Sequence, residues 1–141
     1  MASVLIASDS AHVRDEVKAV LNQRDVEIRE VTSGTDVLLA AEEDLPDLVV
    51  CDLQMGNMGG MATCLELRLE ESGGRLGHVP VLMLLDRRPD VFLARRSEAE
   101  GWLVKPVDPI RLRRAIAALL EGGTYHDTSY QPVSIEVPAE T

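Results

Sequence analysis

One stretch, residues 47–60, limits what this chain can fold into more than any other part of the sequence. It contains an unbroken apolar run, residues 48–51, which leads through the carboxylate of Asp52 into a loop with three glycines. Strands that are buried on both faces of a parallel sheet are continuously apolar, and the functional site of such a sheet lies just outside the carboxyl ends of its strands. The stretch therefore predicts a parallel sheet that presents Asp52 at its functional edge.

Short apolar runs alternate with segments of helical period along the rest of the chain. The predicted strands cover residues 4–7, 26–31, 48–51, 81–85 and 101–104. The predicted helices cover residues 11–22, 32–41, 61–69, 91–97 and 109–120. Strands that alternate with helices in this way imply right-handed crossovers and a doubly wound α/β domain, with a parallel sheet covered by helices on both faces.

The chain length and the composition of its last residues set the domain organisation. A chain of 141 residues has room for one domain with its own core. We predict that residues 1–121 form this domain. Residues 122–141 are polar, contain two prolines and show no sustained period, so we predict a flexible C-terminal tail without an output domain.

The charge excludes some classes of partner. The net charge of −10 at pH 7 opposes nonspecific binding to nucleic acid or to an anionic membrane surface. No apolar run approaches the roughly 18 residues of a membrane span, so we expect a cytoplasmic protein without direct nucleic-acid contact and without membrane insertion. Residues 86–114 carry eight basic and five acidic side chains, which indicates either a docking surface for a partner protein or a solvated helix face.

Polar side chains follow four of the predicted strands. Ser8 and Asp9 come directly after the first strand, Asp52 after the third, Asp86 after the fourth and Lys105 after the fifth. Because the carboxyl ends of parallel strands meet at one edge of the sheet, we expect these five side chains to lie close together.

Two motifs carry a resemblance to a known family. The run Asp-Leu-Gln-Met-Gly-Asn-Met-Gly-Gly at 52–60 is similar to the acceptor-aspartate loop of response-regulator receiver domains, and Trp-Leu-Val-Lys-Pro at 102–106 is similar to their lysine–proline strand end. With Asp9 after the first strand, the resemblance covers residues 3 to about 121. It implies a stand-alone, somewhat atypical receiver with one three-layer (βα)5 domain of flavodoxin-like fold and five strands in the order 2-1-3-4-5.

The resemblance implies a role for each residue of the predicted edge. Asp52 is the expected phosphoacceptor, which takes a phosphoryl group from a histidine kinase. A carboxylate that attacks a dianionic phosphoryl group needs positive charge nearby, so the resemblance also implies a Mg²⁺ ion and a phosphate contact from Lys105. The expected ligands of Mg²⁺ are Asp9, Asp52 and the backbone carbonyl of Gln54, with water completing the octahedral shell.

Three positions depart from the family's usual pattern, and a fourth matches it. Ser8 replaces an acid, which weakens the expected Mg²⁺ site, and Ser8 is expected to contact the ion only through a water molecule. Leu85 stands at the switch position, where the family usually has a hydroxyl that bonds the phosphoryl group. Asp86 replaces a small residue and either repels an incoming phosphate or supplies a metal ligand. Trp102 matches the aromatic partner of the switch, or it covers the last helix.

Two functions follow from the resemblance. The first is a receiver in a two-component phosphorelay, which accepts a phosphoryl group at Asp52 and signals through the face formed by helix 4, strand 5 and helix 5 to a downstream protein or a second copy. Such a module catalyses at most its own phosphorylation and dephosphorylation and is not a metabolic enzyme. The alternative, motivated by Ser8, Leu85 and Asp86, is an atypical receiver that binds or dimerises independently of phosphorylation.

A flavodoxin-like enzyme or cofactor carrier is a third class. A phosphatase with an aspartyl nucleophile requires a second acid two residues after Asp52, and a cobalamin carrier requires a histidine there, but Gln54 occupies that position. Flavin sites usually stack the cofactor on aromatic side chains, and this chain has four: one Trp, two Tyr and one Phe. The sequence therefore disfavours all three of these functions: the phosphatase, the cobalamin carrier and the flavin protein.

Overall fold

Parallel strands and flanking helices make up the fold in the computed structural model, which describes residues 1–128. Within that range the sheet has six strands in the order β2-β1-β3-β4-β5-β6. The strands are β1 (Ala2–Ala7), β2 (Val26–Val31), β3 (Leu48–Asp52), β4 (Val81–Leu85), β5 (Gly101–Val104) and β6 (Tyr125–His126). The helices are α1 (Ala11–Leu21), α2 (Gly34–Glu43), α3 (Gly60–Ser72), α4 (Val91–Arg96) and α5 (Pro109–Leu120), and a 3-10 turn (Arg88–Asp90) precedes α4.

The core lies on both faces of the sheet, because successive side chains of a strand point to opposite faces. Every residue of β3 and β4 is buried. Val49 and Cys51 belong to the hydrophobic cluster that packs against α2, α3 and α4, whereas Leu48 and Val50 belong to the cluster that packs against α1 and α5. This arrangement confirms the predicted two-sided sheet and explains why β3 reads as an unbroken apolar run.

Polar residues fix the starts of three helices. The hydroxyls of Ser10 and Ser33 accept hydrogen bonds from backbone N–H groups in the first turns of α1 and α2. The carboxylate of Asp108 does the same for α5, whose first residue is Pro109. Such caps satisfy N–H groups that have no partner within the helix.

The prediction of five strands was one strand short. β6 pairs in parallel with Gly101 and Trp102 of β5, although the sequence predicted a flexible tail from residue 122 onward. Two residues carry no periodic pattern, and β6 is held by tertiary contacts that local sequence does not indicate. The predicted order of the first five strands is confirmed, and the rest of the predicted tail, residues 129–141, lies outside the described residues.

The helices are short compared with a bilayer. The longest of those described, α3, has 13 residues and is therefore about 20 Å long at 1.5 Å per residue. A hydrocarbon core about 30 Å thick needs roughly 20 apolar residues. None of the helices within residues 1–128 has the length and apolar character that a membrane span requires.

Candidate functional site

The strand ends bring Asp52, Lys105 and Asp86 into direct contact. Nζ of Lys105, which follows β5, donates a hydrogen bond to Oδ1 of Asp52 at 2.7 Å. The same nitrogen donates to Oδ1 of Asp86, which follows β4, at 3.0 Å. The lysine therefore bridges the carboxyl ends of β3, β4 and β5.

Ser8 contacts the second carboxylate oxygen of Asp52. Its Oγ donates a hydrogen bond to Oδ2 of Asp52 at 2.9 Å and accepts one from the backbone N–H of Ser10 at 3.0 Å. Because an ionised carboxylate can only accept, the hydroxyl of Ser8 supplies the proton of its bond to Asp52. Ser8 is fully buried, so the expected water-mediated role is replaced here by a direct bond to the aspartate.

Asp52 is a buried carboxylate with a donor on each oxygen. The residue is only 2% exposed, and an ionised carboxylate at such a position is stable only when it is paired and hydrogen-bonded. Lys105 supplies the charge on one side and Ser8 supplies a neutral donor on the other. Each carboxylate oxygen has two lone pairs, so both oxygens retain a further acceptor position.

Lys105 stays charged at this edge. Partial burial is the largest effect and lowers the pKa of Lys105, but the hydrogen bonds and charges of Asp52 and Asp86 together outweigh it and leave the pKa above its ordinary value. A group whose pKa is raised in the folded state stabilises the fold below its unfolded pKa and loses that contribution as the pH rises through the folded pKa. The lysine is therefore a reliable positive charge at neutral pH.

Asp9 is hydrogen-bonded to the glycine-rich loop that follows Asp52. Its Oδ2 accepts a hydrogen bond from the backbone N–H of Gly56 at 3.1 Å, which ties the β1–α1 loop to the loop that follows Asp52. Within residues 1–128, no group of three or more His, Cys, Asp and Glu side chains is arranged to hold a metal ion. The structure thus brings Ser8, Asp52, Asp86 and Lys105 into one bonded network, while Asp9 joins the neighbouring loop.

The ligands that the sequence predicts for Mg²⁺ are of the right chemical type. The carboxylates of Asp9 and Asp52 and the backbone carbonyl of Gln54 are all hard oxygen donors, and Mg²⁺ completes its octahedral shell with several waters. The bond from Gly56 to Asp9 occupies one carboxylate oxygen and leaves the other for a ligand. Ser8 adds no charge to this set of donors.

The two predicted switch residues are both core side chains. Leu85 is fully buried in the cluster that packs against α2, α3 and α4, and its carbonyl accepts a hydrogen bond from the backbone N–H of Lys105 at 2.8 Å. Trp102 belongs to the same cluster and is 2% exposed. It packs on the α4 side of the sheet, whereas the core residues of α5 lie in the cluster on the opposite face.

Sequence reasoning missed three residues near the end of β5. The ring of His126 stacks on Trp102 with centroids 4.2 Å apart and planes 4° apart. Asp127 is 2% exposed and accepts a hydrogen bond from the backbone N–H of Val104 at 2.9 Å, and it forms an ion pair with Arg111. The bonds of Asp127 join residues 23 and 16 positions apart, so no local pattern indicates them.

Comparison with known proteins identifies the family of this chain. The profile of the response regulator receiver domain matches residues 4–117. The DNA-binding response regulator MtrA of Mycolicibacterium paratuberculosis is 30% identical in an alignment over 141 residues, and this alignment covers 96% of this chain and 60% of MtrA. The response regulator PleD of Caulobacter vibrioides is 31% identical over 121 residues, which cover 84% of this chain and 26% of PleD. The solved structure of the chemotaxis response regulator CheY4 of Vibrio cholerae matches with a TM-score of 0.75 at 26% identity, covering 84% of this chain and 98% of CheY4.

The chain belongs to the response-regulator receiver family, the receiver domains of two-component signalling. Receiver domains are signalling modules rather than classical enzymes. The chain spans 60% of the length of MtrA and 26% of the length of PleD, so the likeness concerns only a part of each of these longer proteins.

Proposed function

We propose that this chain receives a phosphoryl group at Asp52 from a histidine kinase in a two-component phosphorelay. The observation that carries the proposal is the 2.7 Å bond from Nζ of Lys105 to Oδ1 of Asp52. This bond puts the positive charge of Lys105 directly beside the carboxylate that would attack. Because the phosphoryl group of such a relay derives from ATP, we also infer that the reaction takes place in the cytoplasm.

The residues of the site support in-line attack by Asp52. An oxygen of Asp52 forms a bond to phosphorus while the bond from phosphorus to the donor's histidine nitrogen breaks. Lys105 is already within bonding distance of Asp52 and offsets part of the negative charge that the phosphoryl group brings. Ser8 holds Oδ2 of Asp52 and so fixes the rotation of the carboxylate.

A Mg²⁺ ion bound by Asp9, Asp52 and the backbone carbonyl of Gln54 would supply further charge neutralisation to the phosphoryl oxygens. Asp86 acts in the opposite direction, because its carboxylate shares the ammonium group of Lys105. Leu85 offers no hydroxyl, so it cannot bond the phosphoryl group. The expected consequence is a receiver that is phosphorylated slowly and holds Mg²⁺ weakly.

The proposed output surface is the face formed by α4, β5 and α5. It carries exposed apolar side chains at Phe92 and Ile110, and it lies within the basic part of the chain. Arg96 lies over the ring of Phe92, with Cζ 5.4 Å from the centroid. Such a mixture of aromatic and Arg side chains is typical of protein interfaces, so we propose a downstream protein or a second copy as the partner, without direct contact to nucleic acid.

Labelling with a small phosphodonor tests this function. The protein is incubated with Mg²⁺ and acetyl phosphate and its intact mass is measured over time, with Asp52→Asn as the control. We expect an added phosphoryl mass in the wild type and none in the variant. The absence of added mass in the wild type, or equal labelling of both proteins, would contradict phosphorylation at Asp52.

A second candidate function is a receiver that works without phosphorylation. The observation that favours it is that Ser8 and Lys105 already bond both oxygens of Asp52, while Asp86 shares the lysine. In that case the wild type and Asp52→Asn would bind the same partner, or form the same dimer, with equal affinity. A phosphorylation-dependent change in oligomeric state, measured by light scattering, would reject this alternative.

A further inference from the structure

The backbone on both sides of Lys105 is held by one ion pair that lies outside the phosphoacceptor network. Val104, directly before Lys105, donates its N–H to Oδ2 of Asp127 at 2.9 Å. Pro106, directly after it, accepts a hydrogen bond from Nη2 of Arg111 at 2.7 Å. Nη1 of Arg111 in turn forms an ion pair with Oδ2 of Asp127. We call this arrangement of Val104, Pro106, Arg111 and Asp127 the Lys105 brace.

The brace combines a buried carboxylate with a partly exposed arginine. Asp127 is only 2% exposed, whereas the bond from Arg111 to Pro106 is exposed to solvent. The bond between Arg111 and Asp127 is partly buried, and hydrogen bonds between charged groups strengthen as water is excluded. Nε of Arg111 also donates to Oδ2 of Asp108, the residue that caps α5, at 2.6 Å. Partial burial is the largest effect on Arg111 and lowers its pKa, but Asp108 and Asp127 outweigh it and raise the pKa overall.

Asp127 reaches the brace because β6 docks on β5. The backbone N–H of Tyr125 donates to the carbonyl of Glu100 at 3.1 Å, and that of Asp127 donates to the carbonyl of Trp102 at 3.3 Å. The ring of His126 covers Trp102. The carboxylate of Asp127 then provides the acceptor that a longer strand would offer to Val104 through its backbone.

The turn between α5 and β6 permits this docking. Gly122 adopts φ +88°, a left-handed conformation that glycine reaches without strain. Gly101, the first residue of β5, also permits docking, because a Cβ there would lie 3.0 Å from the carbonyl oxygen of Tyr125. The two glycines therefore allow β6 to lie close to β5.

We propose that Asp127 and Arg111 are positioning residues for Lys105, and that docking of β6 on β5 sets the geometry in which Lys105 reaches Asp52. Neither residue touches Asp52 in the bonds described above; both act through the backbone on either side of the lysine. The importance of this geometry for phosphoryl transfer rests on the proposed function.

The chain offers two well-separated spectroscopic probes for a test on the intact chain. Its only lysines are Lys18 and Lys105, and its only tryptophan is Trp102. Lysine-selective ¹⁵N labelling therefore gives two side-chain signals, of which Lys18 is an internal control. Quenching of Trp102 fluorescence by acrylamide reports whether β6 is docked. The test variant is Asp127→Ala, and the matched control is the adjacent exposed Thr128→Ala.

In Asp127→Ala we expect acrylamide to quench Trp102 more strongly and the Nζ signal of Lys105 to move to the position of an unpaired lysine, while the Lys18 signal stays in place. The rate of Asp52 labelling with acetyl phosphate should fall roughly ten- to a hundredfold, the effect of misplacing a catalytic group by about 1 Å. Thr128→Ala should match the wild type in all three measurements. His126→Ala, which removes only an exposed ring, should give smaller changes in the same direction.

Detached β6 with an unchanged Lys105 signal in Asp127→Ala would overturn the proposal, as would an equal change of that signal in Thr128→Ala. If Asp127→Ala does not fold, as judged by its circular dichroism spectrum, the same measurements are made on His126→Ala. Stronger quenching of Trp102 with an unchanged Lys105 signal in that variant would also overturn the proposal. If the wild type takes no phosphoryl group, the proposed function fails, but the two spectroscopic measurements still decide whether Asp127 positions Lys105.

Discussion

At the scale of single residues, the acceptor edge carries more negative than positive charge. We use this name for the strand ends that carry Ser8, Asp9, Asp52, Asp86 and Lys105. Asp52 and Asp86 share the ammonium group of Lys105, and Asp9 adds a third carboxylate on the neighbouring loop. Under the proposed function, a phosphoryl group must enter against this field. The effects of Ser8 and Asp86 on its entry can be measured one at a time.

Replacement of Asp86 tests the competition for Lys105. Asp86→Ala frees the lysine for Asp52 and removes a nearby negative charge, so the rate of Asp52 labelling should rise. Because the side chain of Asp86 is 37% exposed, solvent screening limits the gain to about fivefold, or ~1 kcal/mol. Asp25→Ala, an exposed aspartate at the start of β2 and away from the acceptor edge, is the control and should not change the rate. A slower rate in Asp86→Ala would show that Asp86 helps the reaction.

Introduction of an acid at Ser8 tests the metal side of the site. Ser8→Asp replaces a hydrogen bond to Asp52 by two buried like charges, so we expect it to lower the free energy of unfolding by about 1–3 kcal/mol without Mg²⁺. Mg²⁺ should restore stability and raise the melting temperature more than in the wild type. Thermal unfolding with and without Mg²⁺, and with Ser8→Ala as the uncharged control, measures this. An equal effect of Mg²⁺ on both proteins would contradict it.

The two cysteines should be inert in the folded protein. Burial raises the pKa of the Cys64 thiol to about 11, and burial likewise raises the pKa of Cys51 far above its ordinary range. Only the thiolate reacts with disulfide reagents. Titration with such a reagent at pH 8 should detect no thiol in the native protein and two after denaturation. Rapid reaction of either thiol in native buffer would contradict the burial of β3 and α3.

At the scale of secondary structure, β4 shows how packing and function compete for one position. Leu85 ends β4 and is fully buried, so the side chain that cannot bond a phosphoryl group is also part of the core. We expect Leu85→Thr to lower the free energy of unfolding by about 2–4 kcal/mol, because it removes buried carbon atoms and buries a hydroxyl. Denaturant unfolding measures the change.

The matched control for Leu85→Thr is Leu69→Thr on α3, where the leucine is 58% exposed. This change should cost no more than about 0.7 kcal/mol, the range of helix propensities among ordinary residues. Similar losses in the two variants would show that Leu85 is not the packing element that its burial indicates.

The sequence predicted the central elements better than the last one. β3 and β4 were recognisable because strands buried on both faces must be apolar at every position, and α5 was recognisable from Pro109 and its apolar spacing. β6 has only two residues and depends on Trp102 and Arg111, which lie far from it in sequence. The contact of Ser8 with Asp52 was missed for a similar reason, since the two residues lie 44 positions apart in sequence.

At the scale of the whole molecule, the acceptor edge and the proposed output face meet at β5. Lys105 follows its last residue, and the face is completed by α4 and α5. The exposed Phe92 is a suitable probe, because it makes none of the bonds described around Asp52 and its one described ring contact is with Arg96.

Phe92→Ala should weaken binding of the downstream protein or of a second copy, measured by analytical ultracentrifugation across a concentration series, without changing the labelling rate of Asp52. The loss of a central aromatic from an interface typically costs more than about 1 kcal/mol. Leu39→Ala, at an exposed site on α2, serves as the control. Equal weakening by both changes would place the interface elsewhere.

The sequence by itself determined the two-sided parallel sheet, the edge at which Asp52 and Lys105 meet and the family to which the chain belongs. These properties follow from local apolar periods and from residues at strand ends, which the chain order alone specifies. Only the tertiary structure decided that Ser8 bonds Asp52 directly, that Asp86 shares Lys105 and that Asp127 holds the end of β5. Each of these contacts joins distant parts of the chain, and its geometry depends on packing that no single segment encodes.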